Sequence, residues 1–518
     1  MNDPGQNQPD PWPLALAEYR AGNAQAAIAA LQQLIRAEPG RAVHHFHLGN
    51  LYWEADRFAD ADACFRKAFE LDPAIADLPL ESALDAAHSG LLEEAHSLLQ
   101  LALAFRPEHS RTLAALGDVE RRLGRLPEAI GLLARAAQLE PGNPETQLDL
   151  GIALCQAGRL DEARNALESS CRIAPSDARA WNNLATVLKQ QGRLDDALHY
   201  FDEAVRLAPE FAEARFNRAT VLLQAGDFSR GWSEYECRPQ SPPVRPLAAH
   251  LRAAGSLDGC TVLLRAEQGL GDLIQFVRYA AWLADRGARV LVECPASAVD
   301  VIASARGVAA AVPFGSHPDF DFDANLLSLP GMIHPSEGAL TCEVPYLFPG
   351  RGSIDAWAAR ITTNSPLRVG VAWAGNPAHP NDRWRSLPPL EFLPIVQHPA
   401  VTAYSLQFNP QTADLAMLPN LEVLPLPANL VDSAAVIMHL DLVISIDSMP
   451  AHLAGALGKP VWLLLAHVPD WRWMLGRDDT PWYPTMRLFR QNAPGEWSGV
   501  IQRVLAALDE FRAAIGRS

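Results

Sequence analysis

The sequence predicts an α-helical solenoid followed by an α/β region of two doubly wound, Rossmann-like lobes. A repeat of constant length in the first half of the 518-residue chain predicts the solenoid. Strand, turn and helix patterns that alternate after residue 259 predict the two lobes. We therefore expect a solenoid that binds a partner, followed by an α/β region that carries the catalytic site.

Six prolines recur every 34 residues in the first half of the chain. They are Pro39, Pro73, Pro107, Pro141, Pro175 and Pro209. A period of this length is typical of stacked helical hairpins. One hairpin cannot bury its own apolar face, so the stacked repeats share a continuous core and leave a long concave surface. Such a surface can hold an extended chain or a partner protein.

Small residues recur in step with the prolines. An alanine marks the expected crossing of the two helices in each hairpin: Ala27, Ala61, Ala95, Ala129, Ala163 and Ala197. A glycine precedes most of these alanines by five residues, at Gly22, Gly90, Gly124, Gly158 and Gly192. We expect these glycines to adopt positive φ in the turn between the helices. The pattern resembles the tetratricopeptide repeat over residues 13–236. A seventh unit, which begins at Phe211 and carries Trp232 and Tyr235, is expected to cap the solenoid and to dock on the next domain.

Amides occupy one slot of successive repeats. Asn183 and Asn217 share it, Asp149 holds it one repeat earlier, and His47 and Ala115 hold it elsewhere. A row of amides can bind the backbone of an extended peptide because an amide both donates and accepts hydrogen bonds. The O-GlcNAc transferases use such a ladder, and the resemblance makes Asn183 and Asn217 candidate acceptor-binding residues.

Composition describes a soluble globular protein, with 49% hydrophobic and 20% charged residues. The formal net charge of −17 argues against a nucleic-acid partner, which needs a clustered basic surface. Seven scattered cysteines favour a reducing compartment over a disulfide framework or a zinc cluster. Neither a signal-peptide pattern nor an apolar run of roughly 18 residues is present. We expect a cytoplasmic protein without a membrane span.

Changes of pattern suggest the domain boundaries. We expect a disordered N-terminus over residues 1–12, the solenoid over 13–236, a Pro-rich linker over 237–258, and two lobes over 259–362 and 363–518. The lobes open with the expected strands Thr261–Ala266 and Leu367–Trp373. Ligands of open α/β sheets bind beyond the carboxyl ends of the strands, so the loops there are the places to search.

The first such loop runs from Gln268 to Asp272. Asp272 would either project into the cleft as a general base or cap the helix that follows. The residues alone favour the cap. We place Gln268, at the start of this turn, among the candidate acceptor-binding residues.

The second loop begins at Gly375 and Asn376 and ends at Ser386. It carries Arg383 and Arg385 before a helix. An arginine offers a fork of donors and a helix N-terminus offers N–H groups, so the loop suits a phosphate. An ordinary solvated basic loop is the alternative, and the residues favour neither over the other.

The third loop follows an expected strand at Asp441–Ile446. Asp447 and Ser448 end that strand, and His452 lies near the start of the next helix. A hydroxyl, a helix terminus and an imidazole converge there, which again suits phosphates. A lone buried histidine is more often structural.

The three loops together resemble the GT-B glycosyltransferases of the ADP-heptose:LPS heptosyltransferase type. The resemblance covers roughly residues 259–490. It implies that Gly271-Asp272 carries the catalytic base and that Asp382-Arg383-Trp384 stands where the family has a phosphate-binding Asp-Lys. It also implies that Asp447-Ser448-Met449, with His452-Leu453-Ala454, binds sugar and diphosphate. Arg383 for Lys and Met449 for Gly are departures that leave the donor open.

One further motif belongs to another glycosyltransferase fold. Asp319-Phe-Asp321-Phe-Asp323 contains the metal-binding Asp-x-Asp pattern. Alternating acids and aromatics are also typical of an edge strand, and we favour that interpretation. We expect no metal and no cofactor, because arginines and helix termini would neutralise the leaving phosphate.

The combination resembles bacterial protein O-glycosyltransferases, including those that modify flagellin, and it shares its architecture with the O-GlcNAc transferases. It implies inverting, metal-independent transfer of a sugar from a nucleotide to a protein hydroxyl. Asp272 would be the base, the solenoid would hold a protein acceptor, possibly flagellin-like, and the residues Gly375, Asn376, Arg383, Arg385, Ser386, Asp447, Ser448 and His452 would bind the donor. Two alternatives stay open: a lipid or saccharide acceptor with repeats that serve assembly, and a scaffold with a degenerate sugar-nucleotide domain.

Overall fold

The structure is a computed structural model. It describes residues 23–55, 57–72, 75, 77–239, 247–333, 343–361, 367–379, 381–408, 410–424 and 429–515. The expected disordered segment 1–12, Gly22 and Pro73 lie outside the described residues, as does part of the expected linker. The chain divides into two compact units, 1–187 and 188–518.

The first half is an array of antiparallel helical hairpins. Its helices are α1 (Ala24–Ala37), α2 (Ala42–Glu54), α3 (Phe58–Leu71), α4 (Leu78–His88), α5 (Leu92–Phe105), α6 (Ser110–Arg122), α7 (Leu126–Leu139), α8 (Pro144–Gln156), α9 (Leu160–Ile173), α10 (Ala178–Gln190), α11 (Leu194–Leu207), α12 (Ala212–Ala225) and α13 (Phe228–Tyr235). The boundary between the two units falls inside α10.

The predicted repeat pattern is confirmed. All six marker alanines are fully buried. Gly90, Gly124, Gly158 and Gly192 have φ between 78° and 81°, which only glycine adopts without strain. A second small residue lies in the first helix of several hairpins. A methyl group on Gly117 would come within 2.6 Å of Leu133 Cγ, so α6 and α7 pack too closely there for a larger side chain.

The second half contains two parallel sheets. Further helices are α14 (Leu247–Ala254), α15 (Leu270–Phe276), α16 (Ala280–Ala284), α17 (Val299–Ala303), α18 (Leu329–Ile333), α19 (Arg351–Ala358), α20 (Asp382–Arg385), α21 (Pro389–Val396), α22 (Thr412–Ala416), α23 (Leu430–Met438), α24 (Met449–Ala456) and α25 (Ser498–Ile515). The strands are β1 (Thr261–Arg265), β2 (Arg289–Cys294), β3 (Val308–Pro313), β4 (Phe322–Asn325), β5 (Leu367–Ala372), β6 (Val401–Ser405), β7 (Leu442–Ile446), β8 (Val461–Leu465) and β9 (Met486–Arg490).

The strand orders are those of doubly wound folds. The first sheet has the order β3-β2-β1-β4 and the second β6-β5-β7-β8-β9, with every pairing parallel. Both faces of the second sheet are covered, since Val443 packs into one hydrophobic core while its neighbours Leu442 and Ile444 pack into another. The α/β class is therefore confirmed.

One predicted helix is broken. The sequence pattern predicts a single helix over Leu273–Arg286, whereas the chain forms α15, a 3₁₀ turn at Val277–Tyr279 and then α16. The buried Arg278 Nε donates to the Gln275 carbonyl at 2.7 Å. In a continuous helix the Gln275 carbonyl would accept from a backbone N–H four residues later. The Arg278 side chain competes for that carbonyl, and the chain takes the tighter 3₁₀ turn at Val277–Tyr279.

The last hairpin packs against the α/β region within the second unit. Trp232 and Tyr235 of α13 share a hydrophobic core with Val262 and Leu264 of β1. Trp232 also lies edge-on to Trp471, with ring centroids 5.3 Å apart. The seventh repeat is thus built into the α/β core, as its atypical sequence predicts.

No helix among the described residues is long and apolar enough to cross a membrane. In the same part of the chain, no group of three His, Cys, Asp or Glu side chains is placed to hold a metal ion. No disulfide joins the six cysteines that the described ranges contain.

Candidate functional site

The three candidate loops lie where the strand order of each sheet reverses. In the first sheet, β1 has β2 on one side and β4 on the other. In the second sheet, β5 has β6 on one side and β7 on the other. A crevice forms at such a switch point, beyond the carboxyl ends of the strands. The loops after β1, β5 and β7 border these two crevices.

In the first loop, Asp272 caps the helix, but from a position different from the one that the residues alone favour: Gly269 is the N-cap of α15, and Asp272 is the third helical residue, which bonds back to it. Its Oδ2 accepts a hydrogen bond from the Gly269 backbone N–H at 3.0 Å. Its Oδ1 is ion-paired with the Arg472 guanidinium. The neighbouring Gln268 is exposed and has φ of 60°, an unusual conformation for a residue with a side chain. Such backbone strain persists only where the surroundings impose it, and it is often found at functional sites.

Arg472 is held from several sides. Its side chain is 8% exposed and donates to Asp470 Oδ1 and to Gln275 Oε1, each at 2.9 Å, in addition to Asp272. Its guanidinium lies over the Trp471 ring at 4.3 Å. A buried charge is tolerated only with such partners. The arginine therefore fixes the Asp272 carboxylate against the segment that follows β8.

The second loop folds around Arg385. The Arg385 Nε donates to Asp382 Oδ1 at 3.2 Å, and its Nη1 donates to the Asp447 carbonyl at 3.0 Å. The Gly375 N–H donates to Ser386 Oγ at 2.9 Å, which closes the loop on itself. Arg385 thereby joins the second loop to the third.

Two predicted residues of this loop lie apart from that junction. Asn376 is exposed, and its Oδ1 accepts from the Ala378 N–H at 3.0 Å. Arg383 is also exposed, with its guanidinium 4.6 Å from the centroid of the Trp384 ring. Of the predicted phosphate-binding residues in this loop, Gly375, Arg385 and Ser386 come together.

In the third loop, His452 pairs with two partners. Its Nε2 lies 3.6 Å from Asp447 Oδ1, and its Nδ1 lies 3.0 Å from the Tyr483 hydroxyl. Burial of the Asp447 carboxyl acts to raise its pKa, but the interactions with His452, Trp473 and Arg385 outweigh burial and lower the pKa. Asp447 is therefore a carboxylate at neutral pH.

Ser448 begins α24 without capping it. Its hydroxyl donates to the Ile446 carbonyl at 3.3 Å instead of accepting from the helix. Pro450, the second residue of α24, has no N–H group, and the Ala451 N–H donates to the Ser448 carbonyl at 3.1 Å, so the helix dipole rather than a set of free N–H groups favours an anion here. This terminus borders the crevice between β5 and β7.

The first and third loops are in contact. A methyl group on Gly271 would come within 3.0 Å of His452 Cδ2, which is closer than ordinary van der Waals contact, so a larger residue there would push the imidazole away by a few tenths of an ångström. The Trp473 ring also packs against His452, with centroids 5.4 Å apart. Gly271, His452, Asp447 and Arg385 therefore form one continuous chain of contacts through all three loops.

The segment after β8 contributes residues that the sequence patterns did not reveal. Asp470, Arg472, Trp473 and Tyr483 all border the junction of the loops. The signal that could have found them is the density of tryptophan between charged residues in Asp470-Trp-Arg-Trp473. Two buried donors here, Trp473 Nε1 and Gln275 Nε2, have no hydrogen-bond partner within the described ranges. Trp473 Nε1 is near enough to Asp447 to lower its pKa but falls short of hydrogen-bond geometry.

The candidate acceptor-binding amides are half-buried on their helices. Asn183 Nδ2 donates to the Arg179 carbonyl of α10 at 2.8 Å. On α12, the Thr220 hydroxyl donates to the backbone carbonyl of Asn217 at 2.6 Å.

Asp149 holds the same slot on α8. Burial and the carboxylates of Asp118 and Glu145 raise the pKa of Asp149 to about 7. A substantial fraction of this carboxyl is therefore neutral at pH 7. The slot therefore holds an uncharged amide in two repeats, at Asn183 and Asn217, and a partly neutral carboxyl at Asp149.

The Asp-x-Asp motif lies at a sheet edge, as the alternation of acids and aromatics predicts. Asp321 Oδ2 accepts from the Thr261 N–H at 2.8 Å, and Asp323 Oδ2 accepts from Arg265 Nε at 2.9 Å. Asp323 belongs to β4, an edge strand of the first sheet, and is fully buried. Both carboxylates are committed to the fold.

Comparison with known proteins supports the repeats. Models of the tetratricopeptide repeat match residues 13–76 and 80–144, residues 120–187 and residues 178–211. The first half of the chain is therefore a tetratricopeptide-repeat array, which is a protein-interaction scaffold.

The sequence match to one curated relative is longer than the repeat region of this chain. Protein FlbA of Caulobacter vibrioides is 27% identical over 322 residues, which cover 56% of this chain. The matched part is 54% of FlbA, so the chain spans about half the length of the curated relative it matches.

Solved structures match this chain at low TM-scores. YrrB, described as a TPR protein with an unusual peptide-binding site, is 24% identical with a TM-score of 0.29, over 36% of this chain and 95% of YrrB. MamA of Desulfovibrio magneticus is 20% identical with a TM-score of 0.28, over 31% of this chain and 90% of that protein. Because both TM-scores are low, these two likenesses say nothing about what this chain does.

Proposed function

We propose that this protein is an inverting glycosyltransferase that moves a sugar from a nucleotide donor to a hydroxyl of a protein acceptor. The observation that carries the proposal is the convergence of the loops after β1, β5 and β7 at the switch points of two parallel sheets. That arrangement supports a ligand held between two lobes of the GT-B type, with the first lobe on the acceptor side and the second on the donor side. A reducing, cytoplasmic location goes with this proposal.

The residues of the junction divide the chemistry between them. Arg385 and the positive end of the α24 helix dipole supply positive charge where the nucleoside diphosphate leaves. Asp447 is ionised and can accept hydrogen bonds from sugar hydroxyls. Asp272 takes the proton of the acceptor hydroxyl, because a carboxylate lone pair directed away from Gly269 and Arg472 can still accept it.

The repeats would hold the acceptor. Their shared slot carries Asn183, Asn217 and Asp149, and amides or neutral acids there suit the backbone of an extended polypeptide. A flagellin-like protein is the acceptor that the overall resemblance suggests.

A second function is favoured by one observation. Both oxygens of Asp272 are engaged, one by the helix cap and one by Arg472. A scaffold that binds a sugar nucleotide without transferring the sugar needs no general base, so both oxygens of Asp272 can be engaged in such a protein. Slow hydrolysis of the donor by the purified protein would separate the enzyme from this scaffold.

Binding of nucleotides tests the proposal first. We expect at least one of ADP, GDP, UDP and CDP to bind the full chain in calorimetry, and Arg385→Gln to weaken that binding about tenfold or more, as for a lost hydrogen bond to a charged group. Arg487→Gln, an exposed residue of β9, is the matched control and should bind as the wild type does. Absence of binding to all four nucleotides would overturn the proposal.

A further inference from the structure

A histidine of the second loop lies beside Arg385 but apart from the contacts that join the three loops. His379 stands between β5 and α20, three residues before α20 begins at Asp382. It is exposed, whereas the side chain of Arg385 is 21% exposed. His379 is close enough to Arg385, Asp447 and Asp470 to interact with them electrostatically, so it lies near the junction of the second and third loops.

The loop backbone fixes the position of His379. Its N–H donates to the Asn376 carbonyl at 2.9 Å, and its own carbonyl accepts from the Asp382 N–H at 2.9 Å. These two bonds hold the residue in a turn on both sides. The imidazole is therefore carried by a backbone that is hydrogen-bonded on both sides.

A third bond selects the tautomer of the ring. The Asn381 backbone N–H donates to His379 Nδ1 at 3.1 Å. A backbone N–H can only donate, so Nδ1 must present its lone pair and the proton of a neutral imidazole must lie on Nε2. His379 consequently offers a single N–H donor at Nε2.

The surroundings of the ring keep it neutral. Although His379 is exposed at the surface, partial desolvation of its ring by the surrounding loops and the positive charge of Arg385 lower the pKa of His379, while Asp470, Asp447 and Asp382 act in the opposite direction without reversing the shift. These carboxylates come from the segment after β8, from the end of β7 and from the loop itself. At neutral pH the imidazole is uncharged and keeps its Nε2 proton.

We infer that His379 is a further donor-binding residue, which holds an oxygen of the nucleotide diphosphate through its Nε2–H. This inference rests on the proposed function, since it places the diphosphate beside Arg385. The chemistry fits because a neutral N–H donor can bind an anionic oxygen beside an arginine without adding a second positive charge.

Two amide substitutions test which nitrogen matters. Glutamine places its amide nitrogen near the position of Nε2, whereas asparagine places its amide near Nδ1. We expect His379→Gln to bind the nucleoside diphosphates of the calorimetric panel within about threefold of the wild type, and His379→Asn and His379→Ala to bind about tenfold more weakly. Equal affinities for the Gln, Asn and Ala variants would overturn the inference.

The tautomer can be measured in the protein without ligand. In a long-range ¹H–¹⁵N spectrum of histidine-labelled full chain, with His379→Gln used for assignment, Nε2 should have the shift of a protonated nitrogen and Nδ1 that of an unprotonated one near neutral pH. A proton on Nδ1, or on both nitrogens, would overturn the inference whatever the binding data show.

The outcomes separate this inference from the proposed function. If the wild type binds no nucleotide of the panel, both fall. If the wild type binds, Arg385→Gln weakens binding and the His379 variants do not, the proposed function stands and this inference alone is overturned.

Discussion

At the scale of single residues, Asp272 shows how one carboxylate can serve the fold and the chemistry together. One oxygen caps α15 through the Gly269 N–H, and the other meets the buried Arg472. A cap of this kind is worth about 1 kcal/mol and an isolated buried charge costs several times more. The geometry therefore fixes the carboxylate firmly, which general-base catalysis also requires.

Substitution of Asp272 by asparagine separates the two roles. The amide oxygen can still accept the Gly269 N–H, and Arg472 keeps Asp470 and Gln275 as partners. We expect Asp272→Asn to lower sugar transfer by about 10²–10⁴-fold and to leave nucleotide affinity within a few fold. The measurement is transfer rate and calorimetric affinity on the same preparation.

Asp470→Asn is the matched control for that change. It also removes a carboxylate partner of Arg472 but leaves Asp272 intact. If the Asp272 variant retains more than about a tenth of wild-type turnover, or the Asp470 variant loses as much as it does, Asp272 has a structural role only.

The Asp-x-Asp residues lead to a prediction on metals. Because Asp321 and Asp323 already bind Thr261 and Arg265, we expect chelation by EDTA to leave transfer unchanged. Activity would be assayed after EDTA treatment and again after addition of Mg²⁺ or Mn²⁺. Loss of activity that a divalent cation restores would contradict the charge neutralisation assigned to Arg385 and would direct attention to the carboxylates.

At the scale of single elements, helix crossings in the solenoid depend on small residues. Gly117 on α6 faces Leu133 on α7, where a methyl group would clash at 2.6 Å. Gly131 on α7 is exposed, and a methyl group there would meet nothing within 4 Å. The two glycines therefore test opposite effects of the same substitution.

We expect Gly117→Ala to destabilise the repeats by about 1–3 kcal/mol through overpacking. Gly131→Ala should stabilise them by about 0.5–1 kcal/mol, because alanine loses less backbone entropy in a helix. Thermal melts of the two variants should shift in opposite directions from the wild type. Shifts of the same sign would show that close packing of α6 on α7 does not decide stability there.

The solenoid contains a pH-dependent element. The folded-state pKa of Asp149 is raised to about 7 by burial and by Asp118 and Glu145, against an ordinary value of 3.8. Between these values the unfolded chain is ionised at this position while the folded chain keeps its proton. Stability from this group is therefore lost as the pH rises from about 4 through about 7.

Asp149→Asn should remove that loss. We expect its melting temperature to exceed that of the wild type at about pH 8 and the difference to shrink at about pH 5. Asp85→Asn, on the exposed face of α4, is the control for a change of net charge. A difference between Asp149→Asn and the wild type that does not change with pH would contradict the raised pKa.

Local pattern predicted most elements but not the segment after β8. The repeats and the strands follow from spacing and hydrophobic runs, which are properties of neighbouring residues. The pairing of Arg472 with Asp272 joins positions 200 residues apart, and no local pattern carries that contact. The same limit applies to His379, whose tautomer depends on a single backbone N–H.

At the scale of the whole molecule, the first three repeats can be removed without cutting the α/β core. We expect a chain that starts at Ser110 to bind nucleotide as the full chain does and to transfer less sugar to the protein acceptor, because remote binding energy positions the reacting hydroxyl. Repeats contact only their neighbours, so the remaining hairpins should keep their fold. Nucleotide affinity and transfer rate would be measured on both chains.

Removal of those repeats also exposes Leu116 and Val119, which pack in the core of the third and fourth repeats. The double variant Asn183→Ala and Asn217→Ala of the full chain avoids that exposure. Unaltered transfer to the protein acceptor by both proteins would show that the repeats do not select the substrate and would favour a role in assembly.

The core that Trp232 and Tyr235 share with β1 has a consequence for how this chain can vary over evolution. Duplication or loss of a whole 34-residue hairpin keeps the spacing of every later helix, but a change at α12 or α13 would disturb β1, the strand that leads to the loop of Asp272. Differences in repeat number among descendants of this gene should therefore accumulate on the N-terminal side of that hairpin, while the joint itself stays constant in length.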